Sequence, residues 1–413
     1  MAGSGDVVGI RRSRDDVRER VAAGLPVCDR IATAARPDVL RHRDGRIRDL
    51  HPSQQHRAHA ASRRAARGPP VVAATLSTRP ARRGASLRQR LVGLLADGEF
   101  HSGSRLAASL RVSRTAVWKA LHGMSALGLE LHSVPKRGYR LPQPIETLMR
   151  SRLQKNLSSV ASERLRHLEI FDEIESTNSH LFAKTDLPVG RADACIAEYQ
   201  SAGRGRRGRG WTAPYGSGLC LSLSWQFPET PRQIGALSLA AGVGVLRVLR
   251  QERLGEIGLK WPNDIVFGGR KLGGILIELR AETAGPAYVV LGLGLNFRLS
   301  AQARRAIQAS GVAPVDLGEI RAAAAPGRNA LAAAIVSQWL AVLSEFQQQG
   351  FRPFMSEWRE ADALAGQAVR VIAGEQSRDG IARGIDEDGA LLLETPAGLV
   401  RLVSGEVSVR AAT

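Results

Sequence analysis

Cysteine is nearly missing from this chain. Its 413 residues hold three, Cys28, Cys195 and Cys220, far apart and with no CxxC pair. That argues against a zinc ribbon and a disulfide framework, and fits a reducing compartment. No GxxxxGK[ST] run occurs, so there is no Walker A loop. No apolar run approaches the ~18 residues a membrane span needs, and the N-terminus lacks a signal peptide's apolar stretch. A soluble, cytoplasmic protein with no membrane partner is expected. Aromatic residues make up 5% of the chain, and residues 1–85 contain none. That stretch also has no lysine, yet carries 18 arginines against 8 acids, so +10 of the net +19 charge lies there. Such a composition buries too little apolar surface to offset the entropy of ordering. Residues 1–85 are therefore expected to be either a disordered basic arm that holds DNA loosely or a stretch translated from upstream of a start nearer residues 70–87. Their resemblance to GC-rich coding noise favours the second.

What remains has an apolar content, 44% over the whole chain, sufficient for a core and a length that suits two to three domains. Order is expected from Leu87. Leu87, Leu91, Leu94 and Leu95 share one helical face that Gly98 ends. Ser102 or Ser104 can cap a second helix with Leu106, Ala107 and Leu110. After a short turn, Ser113 can cap a third, with Ala116, Val117, Ala120, Leu121 and Met124 inward. Two helices so closely joined read as a helix-turn-helix. Leu129 to Leu141 then alternates as strand, Lys136-Arg137-Gly138 turn and strand, which makes a winged helix. Its third helix would show Arg114, Thr115, Trp118, Lys119 and His122. The wing tip would show Lys136, Arg137 and Arg140. Lysine and arginine there would position phosphates, while Arg114, Thr115 or Trp118 could reach base edges. A winged helix used only for protein contacts is the alternative. Pro142 and Pro144 mark a linker.

The larger part reads as mixed α+β. Strands are expected at Asp193–Tyr199, Gly218–Gln226, Ile257–Trp261, Gly273–Leu279 and Tyr288–Leu295, with an amphipathic helix over Ile234–Leu254. Polar clusters sit at the strand ends. Ser176-Thr177-Asn178 heads a helix, where an N-cap is the plain alternative. Gln200 leads into GRGRRGRGW, Gly203 to Trp211. There, glycines let backbone N–H groups approach an anion, and Arg204, Arg206, Arg207 and Arg209 supply planar forks for carboxylate or phosphate. Alone, that run could equally be an RGG-type nucleic-acid segment. KWPND, Lys260 to Asp264, also suits an ordinary turn. GRKLGGIL, Gly269 to Leu276, carries Lys271, and Asn296 closes an apolar strand.

Together, in this order, these motifs resemble the biotin–protein ligases. With the winged helix in front, they resemble the bifunctional biotin ligase and biotin operon repressor (BirA) family, from about residue 86 to the C-terminus. The resemblance implies an α+β fold in three parts: a winged helix-turn-helix over 86–144, a central mixed-sheet ligase domain of class II aminoacyl-tRNA synthetase/biotin synthetase type over 150–362, and an SH3-like β-barrel over 363–413. It implies a two-step reaction. The carboxylate of biotin attacks the α-phosphate of ATP to give biotinyl-5′-adenylate, and a lysine of a biotin carboxyl carrier protein, the carrier subunit of acetyl-CoA carboxylase, then displaces AMP.

By the same resemblance, Ser176, Thr177, Asn178, Gln200, Arg204, Gly205, Arg206 and Lys271 would bind biotin, with Lys271 and Arg206 catalytic. Arg206, Arg209, Trp211, Lys260, Asn263, Asp264 and Asn296 would bind the nucleotide, and Asp264 would help hold Mg²⁺. The glycine-laced loop would be disordered in the empty enzyme and close over the intermediate. One departure is Gly210, where some relatives carry lysine; it removes no named ligand. The adenylate-bound form would dimerise and repress biotin biosynthesis genes at a two-fold operator. A biotin-sensing transcription factor without ligase activity and a lipoyl or octanoyl transferase are the alternatives.

Overall fold

In the computed structural model, the residues described are 86–281, 285–321, 327–373, 376–403 and 408–411. The expectation for residues 1–85 lies outside them.

Three capped helices come first among the described residues. They are α1 (Leu87–Leu95), α2 (Gly103–Leu110) and α3 (Arg114–His122). Ser86, Ser102 and Ser113 each accept a backbone N–H from the first turn, which satisfies donors that a helix start leaves unpaired. Leu91, Leu95, Leu106, Leu110, Val117 and Leu121 bury together as a small core. A short hairpin, β1 (His132–Val134) and β2 (Gly138–Arg140), forms the wing. Its strands are shorter than the Leu129–Leu141 alternation suggested. A third edge comes from His101, which exchanges two backbone hydrogen bonds with Tyr139.

The linker leads through α4 (Arg150–Asn156) and α5 (Ser159–Arg164) into β3 (Leu165–Ile174), α6 (Thr177–Phe182), β4 (Ala192–Gln200) and β5 (Gly218–Phe227). Then follow α7 (Leu237–Gln251), β6 (Ile257–Lys260), β7 (Asp264–Phe267), β8 (Arg270–Ala281) and β9 (Ala287–Asn296). Seven strands make one sheet in the order β3-β4-β5-β9-β8-β7-β6. Only β3 and β4 run parallel. Successive strand residues face opposite sides. Accordingly Leu219, Leu221, Leu223, Trp225 and Phe227 of β5 enter the large core, and Ser222 between them faces α6.

The large core is covered by α7 and by α10 (Arg328–Gln349), which follows α8 (Ala301–Ala309) and α9 (Leu317–Ile320). Two expectations change here. The 234–254 helix is not amphipathic: α7 buries 12 of its 15 residues, because the sheet lies on one side and α10 on the other. Ile234–Gln251 and Arg328–Gln349 are also long and apolar enough to pass for membrane spans, contrary to the sequence expectation. Both lie mostly inside the core, at 72% and 61% buried, which is why they carry so few charges.

After α11 (Met355–Glu360), a second sheet is built from β10 (Ala368–Ala373), β11 (Gln376–Ile385), β12 (Leu391–Thr395), β13 (Gly398–Leu402) and β14 (Ser408–Ala411). It is antiparallel, in the order β13-β12-β11-β10-β14, as expected for an SH3-like unit. Val369, Val371, Ile385, Leu391 and Leu393 continue the large core, and the Trp261 indole N–H donates to Gly389 O at 3.0 Å. The tryptophan of KWPND thus ties the strand-end turn to the C-terminal sheet.

Candidate active site and nucleic-acid face

The strand ends of the seven-stranded sheet bring the separate motifs into one network. Ser176 caps α6, its Oγ accepting from Ser179 N at 3.3 Å. Thr177 donates its N–H and its hydroxyl to Gln200 Oε1, at 2.8 and 3.0 Å. Ser222 Oγ lies 2.7 Å from Thr177 Oγ1 and 2.6 Å from Asn178 Oδ1. Its single proton serves one of them at a time. Asn178 Nδ2 donates to Glu278 Oε2 at 2.9 Å, and Arg204 Nη2 donates to Glu278 Oε1 at 3.2 Å and to Ser179 Oγ at 2.6 Å. A methyl at Gly292 would overlap the Asn178 amide, so the β9 backbone is the floor of this polar pocket.

Beside it lies a charged half. Lys271 Nζ sits 2.6 Å from Asp264 Oδ1. Arg206 Nη1 donates to Asn263 Oδ1 at 3.4 Å, and Asn263 is itself fixed by donating to Ile275 O at 2.6 Å. Burial, and next the adjacent Arg207 charge, push the Arg206 guanidinium below its ordinary pKa, with Asp264 opposing. A half-buried cation among other cations is short of negative charge, and an anion would relieve it. The Trp211 ring packs on the bare backbone of Gly294, where any side chain would collide, and lies 5.9 Å from Lys271 Nζ. Its buried indole N–H has no oxygen or nitrogen acceptor among the described residues and lies beside the buried Cys220 thiol, a weak acceptor.

The loop between Gln200 and Trp211 is a closed hairpin. Arg204 bridges Gly210, Gly205 N donates to Arg209 O at 2.6 Å, and Trp211 N donates to Gly203 O at 2.9 Å. Arg207 and Gly208 turn it with φ of +57° and +71°. The expected disorder of this run is therefore not what the structure shows.

Of the residues expected from sequence, Thr177, Asn178, Gln200, Arg204, Arg206, Trp211, Asn263, Asp264 and Lys271 converge here. Ser176 enters through its capping role, and Gly205 through the hairpin. Lys260 faces Asp264 across the β6–β7 pair, and Arg209 is exposed on the hairpin. Asn296 stands one layer back. It is buried, and its amide group donates to Lys271 O and Val315 O at 3.2 and 3.0 Å, so it braces the lysine's strand. Sequence reasoning missed Ser222 and Glu278. The only available signal was a polar residue recurring on an otherwise apolar strand.

On the winged helix, Arg114, Thr115, Trp118 and Lys119 are exposed together, Trp118 at 50%. The His122 ring lies against Trp118, tilted by 39° with centroids 3.9 Å apart, and the tryptophan stays half exposed. Lys136 is exposed at the wing turn with φ +65°. Arg137 and Arg140 lie over the Phe100 ring, at 4.2 and 4.9 Å. Arg140, expected at the tip, is half-buried there, because the stack holds it against the body of the domain.

Comparison with known proteins places these observations. The chain matches the HTH domain family over residues 87–140, the biotin/lipoate A/B protein ligase family over 171–296, and the biotin protein ligase C terminal domain over 365–410. It is 38% identical over 323 residues to the bifunctional ligase/repressor BirA of Salmonella typhimurium, covering 78% of this chain and 97% of that protein. It is 37% identical over 251 residues to the biotin--[acetyl-CoA-carboxylase] ligase of Mycobacterium tuberculosis, covering 59% and 88%. The biotin protein ligase from Aquifex aeolicus, solved in complex with biotin and ATP, aligns with a TM-score of 0.50 at 25% identity, over 60% of this chain and all of that one.

Proposed function

We infer the chemistry from one premise: this chain belongs to the bifunctional biotin ligase/repressor (BirA) family. It is a ligase that uses ATP to activate biotin and transfers it to a carrier protein, and it carries a DNA-binding repressor domain. The roles of individual residues that follow are our reading.

Neither step needs a protein nucleophile. Both need two anions brought together and charge stabilised on phosphate oxygens, which is positioning and electrostatics. The Thr177–Asn178–Gln200–Ser222 network supplies hydroxyls and amides of both polarities, which suits the ureido ring of biotin with its two donors and one acceptor. Lys271 and Arg206 would draw the biotin carboxylate against the α-phosphate, their cations growing more useful as charge builds on the transferring oxygens. Arg204 would assist with the carboxylate. Trp211, packed on Gly294 beside Lys271, would cover the adenylate together with the hairpin and keep water from the mixed anhydride. Lys260, Arg209 and Asn263 would line the nucleotide side. The observation that carries this reading is Arg206, half-buried among like charges where an acyl phosphate would relieve it.

Mg²⁺ fits the same corner on donor chemistry. Asp264 and Asn263 offer one carboxylate and one amide oxygen, which suits an ion held mainly by nucleotide phosphates and water. It would neutralise phosphate charge. We also infer that the adenylate-bound form pairs as a homodimer, so that two winged helices meet a two-fold operator controlling biotin genes, and that it works in the cytoplasm.

Incubation with ATP, Mg²⁺, radiolabelled biotin and a biotin carrier domain tests this. Label on the carrier is the expected result. Biotin retained without carrier labelling would make the chain a sensor instead, and transfer of lipoyl or octanoyl groups in its place would make it a different transferase.

A further inference from the structure

A sizeable cleft among the described residues is away from that chemistry. It lies where the winged helix, the linker and the sheet domain meet, and has a volume of about 710 Å³. That is within the range of sites for drug-sized ligands, roughly 300–1,000 Å³. None of Thr177, Asn178, Gln200, Arg206 or Lys271 lines it.

Its apolar wall comes from all three parts: Leu129 and Leu141 from the winged helix, Ile145 from the linker, Tyr215 and Phe297 from the sheet domain. Tyr215 also joins the core of the winged helix, and its backbone N–H donates to Leu127 O at 3.0 Å. The two domains are therefore packed around one tyrosine, and the cleft opens beside it.

The charges in the wall are unequally used. Glu130 accepts from Gln302 N at 3.3 Å. Glu146 accepts from Asn329 Nδ2 at 2.7 Å and stands 3.5 Å from Arg152. Arg328 is buried and committed to Glu198 and two carbonyls, though its Nε–H has no acceptor among the described residues. Arg298 is half-buried, and its Nε lies over Gly318 near the Asp316 carboxylate without an ion pair to it among the described residues. An apolar wall with a guanidinium that makes no ion pair is complementary to an apolar body that bears one planar anion.

We propose that this cleft binds an amphipathic monocarboxylate, apolar body against Leu141, Tyr215 and Phe297 and carboxylate on Arg298, and that occupancy stiffens the joint between winged helix and sheet domain. The site stands independently of the ligase assignment.

The probe is 4-phenylbutanoate, titrated calorimetrically into the full chain already saturated with biotin, with 4-phenylbutanamide as the uncharged match. One equivalent of the acid should bind, with the amide about tenfold weaker or worse, as expected when a charged hydrogen bond is lost. Arg298→Gln should weaken the acid by about tenfold. Ala301→Trp, at an exposed helical position on the cleft, should abolish binding by filling it. Carrier biotinylation should be unchanged in both variants, which also shows that they fold. Amide exchange at Gln143, Ile145 and Glu146 should slow when the probe is bound. Equal affinity for acid and amide, indifference to both substitutions, unchanged exchange in the linker, or no binding at all would each overturn the proposal.

Discussion

Replacing Lys271 with alanine is the sharpest test of the charged half of the site. Its ammonium group lies 2.6 Å from Asp264 Oδ1, and the two side chains are 28% and 25% exposed. As a structural element such a pair is weak. Partly solvated ion pairs contribute about 0–1 kcal/mol, so the variant should fold and melt near the parent temperature. As a catalytic element the ammonium group should matter much more. A preorganised charge donor aimed at developing oxyanions is worth about two to three orders of magnitude in rate, or roughly 3–4 kcal/mol of barrier.

Single-turnover formation of biotinyl-adenylate, followed by pyrophosphate release, should therefore slow by about 10²–10³. Biotin affinity should fall much less, because the ring network of Thr177, Asn178, Gln200 and Ser222 is intact. A second explanation must be separated from this one. Lysine could serve only to neutralise Asp264, whose bare carboxylate would repel phosphate once the ammonium group is gone. Lys271→Ala combined with Asp264→Asn, read against Asp264→Asn alone so that loss of the proposed Mg²⁺ ligand is separated, decides between them. If Lys271 acts on the phosphate, the double variant is slower than Asp264→Asn alone by about the same 10²–10³; if it merely neutralises its neighbour, the two rates match. Matching rates, or a defect seen only in the KM for the carrier, refute the role assigned to Lys271.

Arg206→Gly should still permit adenylation but let the intermediate escape, because the Arg206 guanidinium, held by Asn263, sits among Arg207 and Arg209 with Asp264 opposing; labelling of bystander lysines by mass spectrometry reads this, and tight retention would contradict it. Glu278→Gln removes the carboxylate that Asn178 and Arg204 share, so biotin affinity should shift several-fold in calorimetry while the melting temperature moves little; an unchanged affinity would leave Glu278 without a part. Lys136→Ala on the wing should lower DNA affinity across all sequences and reduce the salt slope of log K by about 0.9, whereas Arg137, stacked on Phe100, should matter less; an unaltered slope argues against the docking face. Glu169 is held down to about 2, by the His180 hydrogen bond first and Lys184 beside it, against burial. A carboxylate lowered on folding stabilises the fold above its unfolded value, near 4.5, and that stability is lost as pH falls towards 2. Glu169→Gln should therefore flatten the urea midpoint between those pH values, a slope worth up to about 3 kcal/mol in the parent, and a parent midpoint with no slope there would remove the basis for it.

The local signals survived folding better than the distant ones. Of the serines expected as caps, Ser102 and Ser113 became caps, since capping is settled within four residues, and Ser86, not singled out from sequence, does the same for α1. The strand-end motifs were legible because each is a short run with its own backbone demands. What escaped was set by partners far away in the chain. β3 reads LRHLEIFDEI, with charges scattered along it, because it is an edge strand and half of it stays wet. β7 was hidden because its first residue, Asp264, also ends the KWPND turn. Ser222 and Glu278 each lie on a strand whose neighbours in sequence say nothing about α6. Only the sheet register, with Ser222 opposite Gly292 and Gly292 opposite Leu276, puts them around Asn178.

The same logic explains why the half of the site proposed for biotin reads so plainly and its support does not. Residues that must touch a ligand come clustered, because a loop can present several at once. Residues that hold them sit singly on rigid strands, where one polar side chain suffices and the apolar pattern conceals it. Arg328 is the extreme case. It lies 130 residues from Glu198, which it meets at 2.7 Å in a fully buried pair. It also grips Gly218 O at the start of the strand that carries Ser222, and Glu146 O in the linker. A buried pair of this kind is poor evidence for stability, because desolvation offsets its attraction. Its value here is geometric: one guanidinium fixes the origin of β5 and the path of the linker together, so that the winged helix and the polar pocket beside α6 are referred to the same point.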